Sequence, residues 1–159
     1  HPKTISLVMS HLENPNPNSS DNALLKRFEQ ERKDWVAKIQ EFSDQLKHIS
    51  YLGDLMTDVY SQRQIALEYS HTLMEHLIKL NKVIREKKHE RYLHYTFNFD
   101  VRLDREARES HINNDLSQFL EKKDIVQNHF DYLRETIKTI DNLVFAIKHR
   151  IALEEYRRN

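Results

Sequence analysis

Apolar residues recur along most of this chain at alternating steps of three and four, the signature of helices that bury one long stripe. Leu25, Phe28, Arg32, Trp35, Ile39, Phe42, Leu46 and Ile49 form the first such run, interrupted at Arg32. Ser20 or Asp21 offers its N-cap, and the balanced charges around it mark an association helix over residues 21–50. Gly53 predicts a break, with Asp54 opening a second helix whose stripe runs Val59, Ala66, Leu73, Leu77, Leu80 and Ile84. The same line continues through Lys87 and Arg91, so this helix outruns its core and presents cations. The last run is the clearest: Leu116, Phe119, Lys123, Val126, Phe130, Leu133, Ile137, Ile140, Val144, Ile147 and Ile151, apolar except at Lys123. With Asn113 or Asn114 as cap, a helix from Asp115 to Tyr156 would span roughly 60 Å. Tyr132, Leu143, Leu153 and Tyr156 widen its stripe enough for more than one neighbour, and Arg157-Arg158 suit its negative end.

Two segments depart from helical spacing. Residues 13–20, Glu-Asn-Pro-Asn-Pro-Asn-Ser-Ser, read as a linker after a short apolar stretch (Ile5, Leu7, Val8, Met9, Leu12), so residues 1–20 are expected to be flexible. In residues 93–103, Leu93, Tyr95, Phe97, Phe99, Val101 and Leu103 alternate with polar partners, which predicts a short half-buried strand. No second segment of that quality exists to pair with it. The other reading is that the second helix runs on to about Tyr95 and a loop follows. The fold expected is mainly α: long heptad-patterned helices as a helical hairpin or coiled coil, oligomeric, with one short strand near 93–103. Residues 54–159 would form the main helical domain. Such stripes look too long for one molecule to cover, so copies are expected to assemble along the Leu116 to Ile151 seam.

Composition narrows the chemistry. The chain holds a single glycine, no cysteine and three prolines, all within the first seventeen residues. One glycine cannot build a phosphate-cradling loop or a dinucleotide fingerprint, because only glycines let the backbone approach phosphate closely. Without cysteine there are no disulfides, thiolate zinc sites or thiol nucleophiles. No apolar run approaches a membrane span, and the amino end lacks the apolar core of a signal peptide, so an intracellular protein is expected. Paired carboxylates such as Glu154-Glu155 sit on solvated faces, and nothing supplies a nucleophile with a base. The histidine pairs His71/His76 and His89/His94 lie five apart and point to different faces of a helix. Neither catalysis, a cofactor nor a metal is expected.

Formal net charge is zero, so a site for a polyanion must come from local segregation. Between Lys79 and Arg91 six cations (Lys79, Lys82, Arg85, Lys87, Lys88, Arg91) face two carboxylates (Glu86, Glu90), with His89 among them. Tyr92 and Tyr95 follow. Cations interleaved with aromatics suit single-stranded nucleic acid, since phosphates meet Lys and Arg while bases stack on rings. A solvated charged helix end is the plainer alternative.

From about Tyr60 to Tyr156 the order of features resembles the phage recombination mediator family typified by UvsY. The likeness lies in Tyr69-Ser70 followed by Leu73, the basic helix end closing on aromatics, and Ile112-Asn113-Asn114-Asp115-Leu116. Then comes the long helix with Asp131-Tyr132-Leu133, Ile137, Ile140 and Phe145-Ala146-Ile147-Lys148, followed by Glu155-Tyr156. The resemblance implies a ring of identical subunits that binds single-stranded DNA. It further implies help in loading a RecA-like recombinase onto strands coated by single-strand-binding protein, in the cytoplasm of an infected host cell. The family's Lys-x-Arg-Leu motif with its trailing aromatics would place its arginine on Arg91 and its last aromatic on Tyr95. Its lysine falls on His89, with Lys87 and Lys88 just before, and its leucine on Tyr92. The expected DNA contacts are therefore Lys82, Arg85, Lys87, Lys88, His89, Arg91, Tyr92 and Tyr95. A coiled-coil scaffold or adaptor without nucleic-acid binding is the competing expectation.

Overall fold

The computed structural model describes residues 17–159, with side chains from residue 21 onward. Among the described residues the protein is mainly helical and contains no strand. Helix α1 spans Pro17–Gln45, α2 Leu52–Phe97, α3 Arg105–Asp115 and α4 Ser117–Arg158, with a 3-10 turn at Ile49–Tyr51. The first short apolar stretch and the first half of the expected linker lie outside the described residues. The linker's last four residues do not: Pro17–Ser20 are helical, and proline suits a first turn because its missing N–H needs no partner there.

The chain reverses between α1 and α2 through residues 46–51, not at Gly53. Successive backbone bonds, Leu46 N to Phe42 O at 3.0 Å and Tyr51 N to His48 O at 3.2 Å among them, carry the turn. None of the described residues takes a positive φ, so the reversal needs no glycine. Gly53 simply sits in the first turn of α2.

The expected strand at 93–103 is not formed. Helix continues to Phe97, where the Asn98 N–H bonds the His94 carbonyl at 2.9 Å, and a loop follows. A lone strand would leave its backbone groups unpaired, whereas helix satisfies those of Leu93 to Phe97 locally. The alternating aromatics instead fold the connection back: the Tyr95 ring meets Phe99 at 5.1 Å and stacks on His111 at 5.2 Å. Leu103, Phe119 and Leu120 pack against buried Tyr95, Ile112 and Leu116 in a small second core. The last helix, expected to be capped by Asn113 or Asn114, instead follows Leu116 with no side-chain cap, and the side-chain cap in this region is Asp104. Its carboxylate accepts from the Ala107 N–H at 2.7 Å and starts α3. Asn113 and Asn114 lie at the end of α3, and only Leu116 separates α3 from α4.

α2 and α4 form an antiparallel hairpin, its register marked by Arg63–Asp141 at 2.6 Å and Arg91–Asp115 at 2.7 Å. α1 lies against one side of it. One apolar cluster takes Leu24, Phe28, Trp35 and Phe42 from α1, Leu55, Val59, Ala66 and Leu73 from α2, and Val126, Leu133, Ile140 and Ile147 from α4. The stripe of α1 starts one residue earlier than its spacing suggests: Leu24 is fully buried while Leu25 is 46% exposed. The interruption is Glu31, not Arg32. Glu31 is buried because the Tyr69 hydroxyl donates to its carboxylate at 2.9 Å and the His129 Nε2 lies 2.8 Å from it. His129 also stacks on Phe28 at 3.9 Å.

This packing changes the role of the α4 seam. Leu116, Val126, Leu133, Ile140, Val144 and Ile147 are buried within one chain, while Phe119, Phe130, Ile137 and Ile151 are half-buried. The buried line of α4 also holds Lys122, His129 and Thr136, seven apart, which face inward in place of Phe130 and Ile137. The seam expected to join identical copies is therefore largely spent on the chain's own helices. One molecule does cover most of its stripe. No described helix is long and apolar enough to cross a membrane.

The register of α1 can be checked directly. Leu24→Ala should cost about 2–5 kcal/mol in denaturant unfolding, the usual loss for emptying a packed leucine site. Leu25→Ala should stay within about 0.5 kcal/mol, as for a surface substitution. Equal losses at both positions would refute this packing of α1.

Candidate nucleic-acid interface

The main core reaches Leu77 on α2, and every side chain from Arg85 to Glu90 is exposed. Helical spacing sorts this stretch into lines seven residues apart. Leu67, Met74, Asn81 and Lys88 form one line, and His71, Ile78, Arg85 and Tyr92 form the next. Neither line contains a carboxylate. The first starts with Leu67 and Met74 and the second includes Ile78, and each ends in a cation or an aromatic past the main core. Lys82 and His89 occupy the adjoining line, which they share with Glu75.

The structure divides the expected DNA contacts into two groups. Lys82, Arg85, Lys87, Lys88 and His89 are exposed, as is Tyr92. Lys87 lies 3.9 Å from Glu90, whereas Lys82, Arg85 and Lys88 join no ion pair among the described residues. Arg91 and Tyr95 belong elsewhere. Arg91 Nε donates to Asp115 Oδ2 at 2.7 Å, and the Tyr95 hydroxyl donates to the same oxygen at 2.6 Å. The guanidinium also lies over the Tyr95 ring at 5.2 Å. Tyr95 is only 8% exposed, so no base can stack on it. These two residues clasp α2 to the end of α3, because the chain's return at 98–104 brings Asp115 beside them.

Two further residues join the surface. Arg108 of α3 places its guanidinium over the Tyr92 ring at 5.0 Å. Only the return of the chain puts it there, so no local spacing announces it. Phe97 is 73% exposed at the end of α2. Read as part of a strand it would face inward; as the last residue of a helix it faces water. The resulting surface carries Lys82, Arg85, Lys88 and Arg108 with Tyr92, Phe97 stands exposed at the helix end, and among the described residues no nucleophile and base converge there. Among the described residues no group of three His, Asp or Glu side chains is placed to hold a metal ion.

No known protein family, curated protein or solved structure matches the chain. The site must stand on its own geometry.

The clasp has a pH signature. Partial burial pushes the Asp115 carboxyl up, but hydrogen bonds from Tyr95 and Arg91, with the guanidinium's charge, outweigh it and hold the carboxyl below its ordinary range. A carboxylate with a depressed native pKa stabilises fully above its ordinary value and loses that contribution as pH falls through the native one. The α2–α3 end should therefore loosen below about pH 4. Asp115→Asn should loosen it at neutral pH, seen as faster amide exchange over residues 105–115. Wild-type protection in that variant would show that the clasp holds nothing.

Proposed function

We propose that this protein is a non-catalytic helical module that holds single-stranded DNA along the cationic outer face of α2. The observation that carries the reading is the outer side of α2 past the main core, where Lys82, Arg85 and Lys88 are exposed and, among the described residues, join no ion pair. Phosphates would lie along these cations and Arg108, and unpaired bases would stack on Tyr92 and Phe97. An exposed ring flanked by cations serves any base, so binding would show little sequence preference. The resemblance to recombination mediators supplies the finer proposal. In it the module assists a RecA-like recombinase on strands held by single-strand-binding protein during phage recombination and repair.

Assembly of identical copies into a ring belongs to that finer proposal. Its contacts would use exposed residues such as Ile49, Tyr51, Leu153 and Tyr156 rather than the buried α4 seam. Aligning several such faces would convert a modest patch into a cationic belt despite zero net charge. The adaptor reading, with no nucleic-acid role, draws its support from the withdrawal of Arg91 and Tyr95 into the clasp.

A triple variant, Lys82→Glu, Arg85→Glu and Lys88→Glu, separates the two. It should abolish gel-shift binding of an oligonucleotide at low salt while leaving the helical circular dichroism unchanged. In the parent protein, log affinity should fall with log salt, and replacing all three residues together by glutamine should reduce that slope by about 2. Unchanged binding in the glutamate variant would remove DNA from this face. No binding by the parent protein at low ionic strength would leave the adaptor reading.

A further inference from the structure

The α2/α4 hairpin has two long grooves, one on each side. α1 fills one of them with Phe28, Trp35 and Phe42. The opposite groove is open, with a volume of about 500 Å³. Leu67 and Met74 of α2 and Phe130 and Ile137 of α4 line it, with His71 and Arg134 at its edges. Met74 is 39% exposed and Ile78, one turn further along the same face, 62% exposed. The floor is therefore an apolar strip between two helices, the same kind of surface that α1 covers on the other side.

The charges that flank the apolar floor are mainly cationic. Lys123 lies on the same line of α4 as Phe130 and Ile137, and Arg134 stands beside them. Arg85 continues the line of Ile78 on α2. The hairpin register sets Lys123 across from the Lys82–Arg85 stretch, so one end of the groove is cationic on both walls. The nearest carboxylate on the groove side of α4, Asp141, is already held by Arg63 at 2.6 Å. A basic helix would find cations on both walls, and a nucleic acid would find a greasy floor. An acidic helix with one apolar face satisfies both features.

We infer that the open groove between α2 and α4 is a docking site for an acidic amphipathic helix of a partner protein. One end of the groove shares Lys82 and Arg85 with the proposed DNA face, but its floor residues lie outside that face, so substitutions at Met74 test the two separately. The apolar face of the guest covers Leu67, Met74, Phe130 and Ile137, and its flanking carboxylates meet Arg134 and Lys123. The docked guest would lie along the hairpin opposite α1 and complete a four-helix arrangement.

The probe is a synthetic helical peptide with leucines at i, i+4, i+7 and i+11 and glutamates elsewhere, paired with a version carrying lysines instead. The protein has three methionines, of which Met74 lies in the groove and Met56 packs against the main core. Methyl spectra of full-length protein should show the acidic peptide shifting Met74 and leaving Met56 in place. Fluorescence anisotropy should show Arg134→Glu weakening the acidic peptide by about tenfold or more, the scale of a central contact. Met74→Glu should do the same while retaining DNA affinity. Val36→Glu, on the outer face of α1, should change neither. Overturning results are a lysine peptide that binds as well, an unshifted Met74, or Met74→Glu without effect. Dimerisation abolished by Met74→Glu would also overturn the inference, since the guest would then be a second copy.

Discussion

The carboxylate of Glu31 is the point on which the three long helices agree. It sits in the core of α1, and burying a carboxylate is tolerated only when hydrogen bonds replace its water. Tyr69 of α2 and His129 of α4 supply them, at 2.9 and 2.8 Å on the same oxygen. Arg27, one turn back, lies 3.6 Å from the other oxygen. Sliding α1 by a turn would take both Tyr69 and His129 away from the buried carboxylate, and sliding α2 or α4 would remove one of them, a cost of several kcal/mol by general experience with broken buried pairs. Apolar stripes alone would accept several registers, since leucine and isoleucine recur every turn. The polar bridge admits one.

That register decides what the surface can do. With α1 in one groove, the hairpin's outer face is left with an apolar strip beside α4 and a cationic run beyond it. The cations lie on the outer side of α2, turned away from its buried stripe, and among the described residues Lys82, Arg85 and Lys88 join no ion pair. Where the chain does supply a carboxylate, at Asp115, it takes Arg91 and Tyr95 out of play and uses them to close the hairpin's end. Charge segregation along one helix thus gives a molecule with no net charge two distinct surfaces.

Much of this was legible from periodicity. The α2 stripe from Val59 to Ile84 is buried as its spacing indicates, whereas of the cations expected to continue it Arg91 is drawn into the clasp and Lys87 lies beside Glu90. Three features were hidden for identifiable reasons. Leu24 and Leu25 satisfy the heptad equally, and only contact with two helices at once selects Leu24. Alternation over 93–103 imitates a strand because the aromatics are arranged to cluster at a turn, a non-local event. Arg91 and Asp115 are 24 residues apart, so their pairing depends on the loop between them. The α4 seam shows a further limit: spacing reveals that a stripe is buried but not by whom. The same looseness governs the resemblance to recombination mediators, since heptads in long helices imitate one another.

The central claim is that one chain covers its own stripes by laying α1 against the α2/α4 hairpin. Its single tryptophan, Trp35, lies in that contact and is 7% exposed, so its fluorescence reports the packing. Diluting the protein from micromolar to nanomolar concentration should leave the emission blue-shifted and shielded from iodide, because intrachain packing does not depend on concentration. A red shift and growing quenching on dilution would mean that another copy supplies the cover, and would contradict this account.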